Sequence, residues 1–347
     1  MRVLVVANWD MVRVPTAWVE RRIAALRALG LEVDVLMEEC VADRLGFFRL
    51  AWRLHQQLRR ERYDLVAPLY GSLVGLLCSL QRQTSCALSF AGSDLNGLRH
   101  ATGKRILRTQ LSRLASQFAA VWAAGVSVRT RAMRDSLWWP FARRRAWVIG
   151  SGVDLGSFRP QDRSEARRRR GLPVDGRRVA FVASDATERP WKRLDLAKEV
   201  VARLPGVALD VLSRVPAAEM PTAYAAADAL LVTSLEEGSP NCVKEALACG
   251  IPVISVDVGD VREVIGTLTN CAVVSAAPEA LAKALVTAIA DGRGCPEGPA
   301  RMAAHYSLSA MASRFLEFYA QTLTSKRSAS CDPIGEDSGE RRALSGE

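Results

Sequence analysis

Glu237 and Glu245 are the residues whose type and spacing best suit chemistry, in the stretch Glu237-Gly238-Ser239-Pro240-Asn241-Cys242-Val243-Lys244-Glu245. The first lies in a Gly/Ser/Pro turn, and the second falls about a turn and a half into a helix expected over 240–249. Ser239 suits an N-cap and Pro240 the first helical position, where its missing N–H costs nothing. The apolar run 229–233 reads as a strand entering the turn. Strand, turn and helix in this order aim backbone N–H groups and a positive helix end at a crevice. That is where an α/β sheet binds an anionic ligand such as a diphosphate. Glu237 would then face whatever lies beyond the phosphates, and Glu245 could accept hydrogen bonds from a ribose. The same nine residues also fit a plain helix start with one surface Glu and one solvated Glu.

The elements that must position these carboxylates alternate along the chain. Residues 2–7 make a short apolar run suited to a central parallel strand, and 16–29 carry Val19, Ile23, Leu26 and Leu29 at helical spacing. Gly30 ends that helix before a strand at 32–36. A helix at 47–60, strands at 65–69 and 87–90, a helix at 104–118 and a strand at 119–123 follow. Residues 147–160, rich in Gly and ending in Pro, break the rhythm, and the charge run 162–170 reads as a solvated linker or helix start. Strands at 179–183, 208–212, 229–233 and 252–256 then alternate with helices at 194–204, 222–227 and 240–249. The fold class is therefore α/β, with two doubly wound Rossmann-like domains. Their expected bounds are 1–155 and 156–305. An amphipathic helix at 306–324, expected to cross back to the first domain, precedes a disordered tail at 325–347.

Bulk composition narrows the class. A chain of 347 residues with 49% hydrophobic and 24% charged residues can bury two cores. Its eight Cys form no C-x-x-C pair and only His55, His100 and His305 exist, which argues against a zinc site and for reduced thiols in a cytosolic protein. Met1 to Ala7 is strand-like, so no secretory leader is expected. The longest nearly uncharged stretch, 65–80, holds 16 residues interrupted by Pro68, Gly71 and Gly75. That is short of the roughly 20 a membrane span needs. The net charge of +10 is uneven, because residues 1–150 hold 23 Lys and Arg against 11 Asp and Glu. Such asymmetry points to an anionic partner of the first half, nucleic acid or a membrane surface.

From residue 1 to about 324 the chain resembles glycosyltransferase family 4, of the GT-B architecture, and is similar to members that build bacterial surface polysaccharides. The resemblance is carried by SLEEGSPNCVKEALACGIPVISVDVGDVREVI at 234–265, by Ala227-Asp228, by Gly92-Ser93-Asp94 and by the hinge-like 149–160. It implies a cleft between two Rossmann-like domains, with a nucleotide-sugar donor in the second. Glu237 corresponds to the carboxylate beside the sugar, Gly238, Ser239, Pro240 and Asn241 to the backbone cradle, and Glu245 to the ribose-binding residue. Gly92, Ser93 and Asp94 correspond to a loop facing the donor phosphates and the acceptor. Several positions depart from the pattern. Ala91 stands where many relatives carry His, Ser151 where the hinge carries Asn, and Asp260 where a second Gly is usual. Ser184 stands where relatives carry the Arg that neutralises the diphosphate. Lys192 fits the matching Lys position, with Arg189 or Arg193 as candidates to restore the missing charge. A helix-start lysine in solvent is the plainer reading of Lys192.

The resemblance further implies transfer with retention at the anomeric carbon, a donor phosphate oxygen taking the acceptor's proton. It implies no metal, and no cofactor beyond the nucleotide-sugar co-substrate. Positive potential from Lys192, a nearby Arg and the helix start would stabilise the leaving diphosphate, and Glu237 would orient the sugar. The expected acceptor is a glycan or a lipid-linked molecule of the cell envelope or an exopolysaccharide. A basic N-terminal half fits an anionic membrane surface. Residues 47–62 pair the stripe Phe47, Leu50, Leu54 and Leu58 with Arg49, Arg53, Arg59, Arg60 and Arg62. Residues 104–118 set the expected core stripe Leu107, Leu111, Leu114 and Phe118 against Lys104, Arg105 and Arg108. Trp138-Trp139-Pro140-Phe141 beside Arg143-Arg144-Arg145 adds aromatics to charge. These helices equally fit packing on the sheet with a solvated Arg face. The expected location is cytoplasmic, peripheral on the inner face of the plasma membrane.

Two other functions share these features. Ser184 and Ala91 fit a degenerate relative that binds a nucleotide-sugar or a partner without turnover, and the architecture also fits a nucleotide-sugar epimerase. A dinucleotide dehydrogenase lacks support because no G-x-G-x-x-G follows the first strand. Nucleic acid is not an expected partner, since no motif of that class is present.

Overall fold

A computed structural model describes residues 1–8, 17–38, 44–97, 108–183, 190–290 and 292–329. Eleven described strands divide between two all-parallel sheets. The first is built from β1 (Arg2–Asn8), β2 (Glu32–Glu38), β3 (Leu65–Pro68), β4 (Ser85–Ser89), β5 (Gly125–Val128) and β6 (Ala146–Val148), in the order β2-β1-β3-β4-β5-β6. The second comprises β7 (Arg177–Val182), β8 (Val207–Leu212), β9 (Ala229–Val232), β10 (Val253–Val256) and β11 (Ala272–Val274), in the order β11-β10-β9-β7-β8. Val3 to Val6 are buried because β1 is paired on both sides, Val3 opposite Val33 on β2 and Leu65 on β3. Helices cover both faces of such a strand, so it is apolar throughout rather than alternating.

The last helix, Leu308–Ala329, packs on the helix Ala17–Ala28 and against β4 and β5, with Phe315, Phe318 and Tyr319 buried. It runs five residues past the point where the tail was expected to begin, and 330–347 lie outside the described residues.

One expectation about the chain is overturned. The segment 119–122, expected as strand, continues the helix Arg108–Trp122 and is followed by β5, while Lys104, Arg105 and Leu107 lie outside the described residues. The helix's small residues Ala115, Ser116, Ala119 and Ala120 face inward. They let it approach the helix Ser72–Leu80 so closely that Ser116 Oγ accepts the Ser72 N–H at 2.7 Å. Leu111, Leu114 and Phe118, the expected core stripe, are thereby turned outward. The charge run at 162–170 is the helix start of its two readings, with Asp162 as N-cap and Arg168 and Arg169 exposed. It forms the helix Arg163–Arg169, from which Arg163 and Arg167 grip the buried Asp228 at 2.6 and 2.8 Å. Asp228 also accepts the Arg178 N–H at 2.7 Å, which locks β7 beside the start of β9.

Candidate functional site

The carboxyl end of β9 leads into residues 234–240, and the helix Asn241–Ala248 leaves that loop. Ser239 is not its N-cap. Pro240 occupies that position, because the Ser239 hydroxyl is committed elsewhere. Ser239 Oγ donates to Asp260 Oδ2 at 2.7 Å and meets Lys244 Nζ at 2.5 Å. Lys244, only 1% exposed along its side chain, pairs with Asp260 at 2.9 Å and reaches Ser151 Oγ at 3.3 Å. Ser151 Oγ in turn donates to the Ser239 carbonyl at 3.1 Å. The two departures Ser151 and Asp260 thus meet on one buried network, which ties the inter-domain hinge to the loop bearing Glu237.

Lys192 and Glu237 come together. The turn Pro190–Lys192 is held because the Thr233 hydroxyl donates to the carbonyls of Lys192 and Arg193, at 2.8 and 2.9 Å. The Leu235 N–H reaches the Trp191 carbonyl at 2.8 Å. Lys192 Nζ then lies 2.5 Å from Glu237 Oε1, which also accepts from Ser234 Oγ at 2.9 Å. Arg193 does not join them. It adopts left-handed backbone geometry (φ 58°) at the cap of the helix Leu194–Ala202, and its guanidinium pairs with Asp195. Ser184 and Arg189 lie outside the described residues.

Glu245 sits deeper. Tyr224 Oη donates to its Oε2 at 2.9 Å, and Arg21 Nη1 from the first domain lies 3.4 Å from Oε1. Burial pushes the Glu245 carboxyl above the usual carboxylate range, against the opposing pull of Tyr224 and Arg21. Asn241 Oδ1 is buried with no hydrogen-bond partner, an acceptor left open where the cleft begins. Arg21, Lys192, Glu237, Asn241 and Glu245 line one cleft of about 380 Å³, whose other end is apolar through Val182, Leu212 and Val215. This is the size and mixed character of a small-molecule site. Sequence spacing could not reveal Arg21, which is 224 positions from its partner.

The loop at 91–94 of the first domain abuts the loop that carries Glu237. Gly92 (φ +142°) brings its main chain against Gly238: a Cβ on Gly92 would stand 3.3 Å from Gly238 Cα, and one on Gly238 2.7 Å from the Ala91 carbonyl oxygen. Ser93 begins the short helix Ser93–Asn96. Asp94 is turned inward and accepts the N–H groups of Gly71, Ala91, Gly92 and Leu95 at 2.8 to 3.1 Å. It therefore shapes the loop rather than presenting a carboxylate to a ligand. Among the described residues no group of three or more His, Cys, Asp or Glu could hold a metal ion.

Residues 178–291, which contain this cleft's second-domain wall, match the family model "Glycosyl transferases group 1". The match spans about a third of the chain and makes this region similar to the group 1 glycosyltransferases. The chain is also similar to the D-inositol 3-phosphate glycosyltransferase of Mycobacterium tuberculosis, 31% identical over 236 residues, which is 58% of this chain and 46% of the relative. The match thus spans less than half of that relative's length. Its fold is GT-B. The sucrose-phosphate synthase of Thermosynechococcus elongatus superposes with TM-score 0.76 at 17% identity, covering 94% of this chain and 100% of that one. Anabaena HepE, solved in complex with UDP and glucose, superposes with TM-score 0.68 at 17% identity, covering 91% and 99%.

Proposed function

We propose that this chain is a glycosyltransferase that moves a sugar, with retention, from a nucleoside-diphosphate donor to a glycan or lipid-linked acceptor of the cell envelope or an exopolysaccharide. The observation that carries the reading is the convergence of Lys192, Glu237, Asn241 and Glu245 on one cleft at the carboxyl ends of β7 and β9. The UDP and glucose in the Anabaena neighbour support a uridine-type donor. In this reading Glu245 holds the ribose and Glu237 the sugar hydroxyls. Lys192 balances charge as the anomeric C–O bond breaks and its electron pair passes to the diphosphate. The acceptor oxygen bonds to the anomeric carbon from the same face, and its proton goes to a donor phosphate oxygen. No side chain is asked to act as nucleophile, and no metal or cofactor is required.

The first domain supports docking of this enzyme on an anionic bilayer. No helix among the described residues is long and apolar enough to cross a membrane. Leu45, Phe48 and Trp52 project from the helix Arg44–Arg60, and Leu111, Leu114, Phe118 and Trp122 from Arg108–Trp122. Both helices close the same core on one face of the first sheet, and the exposed Arg49, Arg53, Arg59 and Arg60 accompany them. Exposed apolar side chains flanked by cations fit a peripheral membrane contact, with a cytoplasmic enzyme on the inner leaflet.

Incubation with a panel of nucleotide-sugars and acceptors tests the catalytic reading. Donor consumption should appear in the wild type and vanish in Glu237→Ala. Tight nucleotide binding with no turnover on any acceptor would instead mark a degenerate binding protein, and sugar isomerisation without acceptor an epimerase.

A further inference from the structure

Behind the donor cleft, and sharing Arg21 and Asn241 with it, lies a second cavity of about 30 Å³ that none of the donor roles uses. That is room for an ordered water or a small oxyanion. Two guanidinium groups of the first domain, Arg22 and Arg129, line it together with Ser89 at the end of β4 and Ser127 on β5.

Arg22 is only 5% exposed and has no carboxylate partner among the described residues. Its Nη2 donates to Ser89 Oγ and Tyr319 Oη, both at 3.1 Å, and its plane stacks on Phe315 at 3.6 Å. Its Nε is buried without an acceptor. Ser89 Oγ accepts from Arg22 and, at 2.9 Å, from Ser127 Oγ, so its own hydrogen remains to be donated. Desolvation holds Arg129 below the usual guanidinium range, and the positive charge of Arg22 adds to that effect. A buried cation that lacks a counter-charge is costly, and an additional cation beside it raises the cost. Neutral acceptors such as Ser89 and Tyr319 orient a guanidinium without neutralising it. An arriving oxyanion would neutralise it and use the free N–H and O–H donors together.

We propose that this cavity is an oxyanion subsite of the acceptor, binding a phosphoryl group carried by the molecule that receives the sugar. The inference rests on the transferase reading and adds the acceptor's charge to it. Arg129 also lines an open cleft of about 340 Å³ on its other side, through which a group seated on Arg22 can remain joined to a larger molecule. The subsite belongs to β4, β5 and the helix Ala17–Ala28, on the side of the cleft opposite Lys192.

Titration with inorganic phosphate, by calorimetry, tests this on wild-type protein alone and on protein saturated with whichever of uridine, adenosine or guanosine diphosphate binds. Phosphate and the diphosphate are expected to bind together, with the affinity for phosphate little changed. Arg22→Met and Arg129→Met should each weaken phosphate by about tenfold or more, while leaving diphosphate affinity within about twofold. Should Arg22→Met not fold, Ser89→Ala carries the test and should weaken phosphate by about threefold or more. Absence of phosphate binding to the wild type, unchanged binding in the variants, or mutual exclusion of phosphate and diphosphate would overturn the proposal. Mutual exclusion would assign the cavity to the donor's own diphosphate. If no diphosphate binds, the donor reading fails while the phosphate titration of the protein alone still decides the subsite.

Discussion

Arg21 Nη1 and Glu245 Oε1 lie 3.4 Å apart, the first on the opening helix of one domain and the second on the helix Asn241–Ala248 of the other. Arg21 also lies over the Phe158 ring, 5.3 Å from its centroid, so the guanidinium is steadied from the hinge side. The Glu245 carboxylate is thus held by a cation from across the cleft. In the proposed donor reading, ribose hydroxyls arriving at Glu245 would share it with Arg21 or displace it, which would couple donor entry to domain closure.

Replacing Arg21 by Ala should favour an open cleft. A partly buried pair of this kind is worth about 1 kcal/mol, a shift of roughly fivefold between closed and open forms. Small-angle scattering of the unliganded variant should give a larger radius of gyration than wild type. Identical curves would show that other contacts alone set the closure.

Lys192→Ala and Glu237→Ala should both fold normally and fail in turnover. Removing one preorganised charge at the leaving group costs about 100- to 1000-fold in kcat. Nucleoside diphosphate affinity should survive better in Glu237→Ala than in Lys192→Ala, because only the lysine would face the phosphates. Equal losses of binding in the two variants would count against those separate roles.

Lys244→Met should be far more damaging to stability than a surface substitution. It strands Asp260, whose side chain is 9% exposed, without its cation. Breaking a buried pair from one side costs about 3–5 kcal/mol. Urea denaturation should show that loss, and Lys244→Met with Asp260→Leu should recover part of it. A single variant within about 1 kcal/mol of wild type would refute the account.

Glu245 should leave a signature in the pH dependence of stability. Its carboxyl titrates above the ordinary 4.5 in the folded chain, so the fold retains a proton that the unfolded chain has released. The stability it contributes is full below the unfolded value and is lost as pH rises through the folded one. Glu245→Gln does not titrate. Its melting temperature relative to wild type should therefore be higher at about pH 7.5 than at about pH 5. A constant difference across that range would contradict the shift.

Phe48→Glu with Trp52→Glu should weaken flotation with vesicles rich in acidic lipid while leaving the melting temperature within a few degrees. Both side chains are more than 60% exposed and contribute little to the core. Wild-type protein that fails to float with acidic vesicles would remove the membrane docking proposal.

Much of the fold is legible because parallel strands such as β1 are apolar along their buried run and some helices between them stop at a Gly, as at Gly30 and Gly250. The donor motif is legible because its chemistry is local, with Glu237, Asn241 and Glu245 all within one turn and helix. What distance in sequence hides is different in kind. Arg21, Tyr224 and Ser151 acquire meaning only through partners that the fold brings to them. The Leu111 and Phe118 stripe misleads for a packing reason: periodicity marks a face but not which face is buried, and close approach at Ser116 and Ala119 outweighed bulk. Asp94 looks like a ligand because a carboxylate after Gly-Ser is polar and loop-borne, yet four backbone donors use its lone pairs.

The paired main chains of Gly92 and Gly238 act as a doorstop between the domains. Neither strand of backbone carries a side chain at the point of touch, so the jaws shut until peptide meets peptide, and no further. In the proposed reading, the depth of that bite would fix how far an acceptor on one jaw stands from a donor on the other. A single methyl at Gly238 would meet the Ala91 carbonyl oxygen and prop the jaws ajar. Reach, more than charge, would then be lost: every binding residue would remain in place, but on two surfaces that no longer arrive at the same spot.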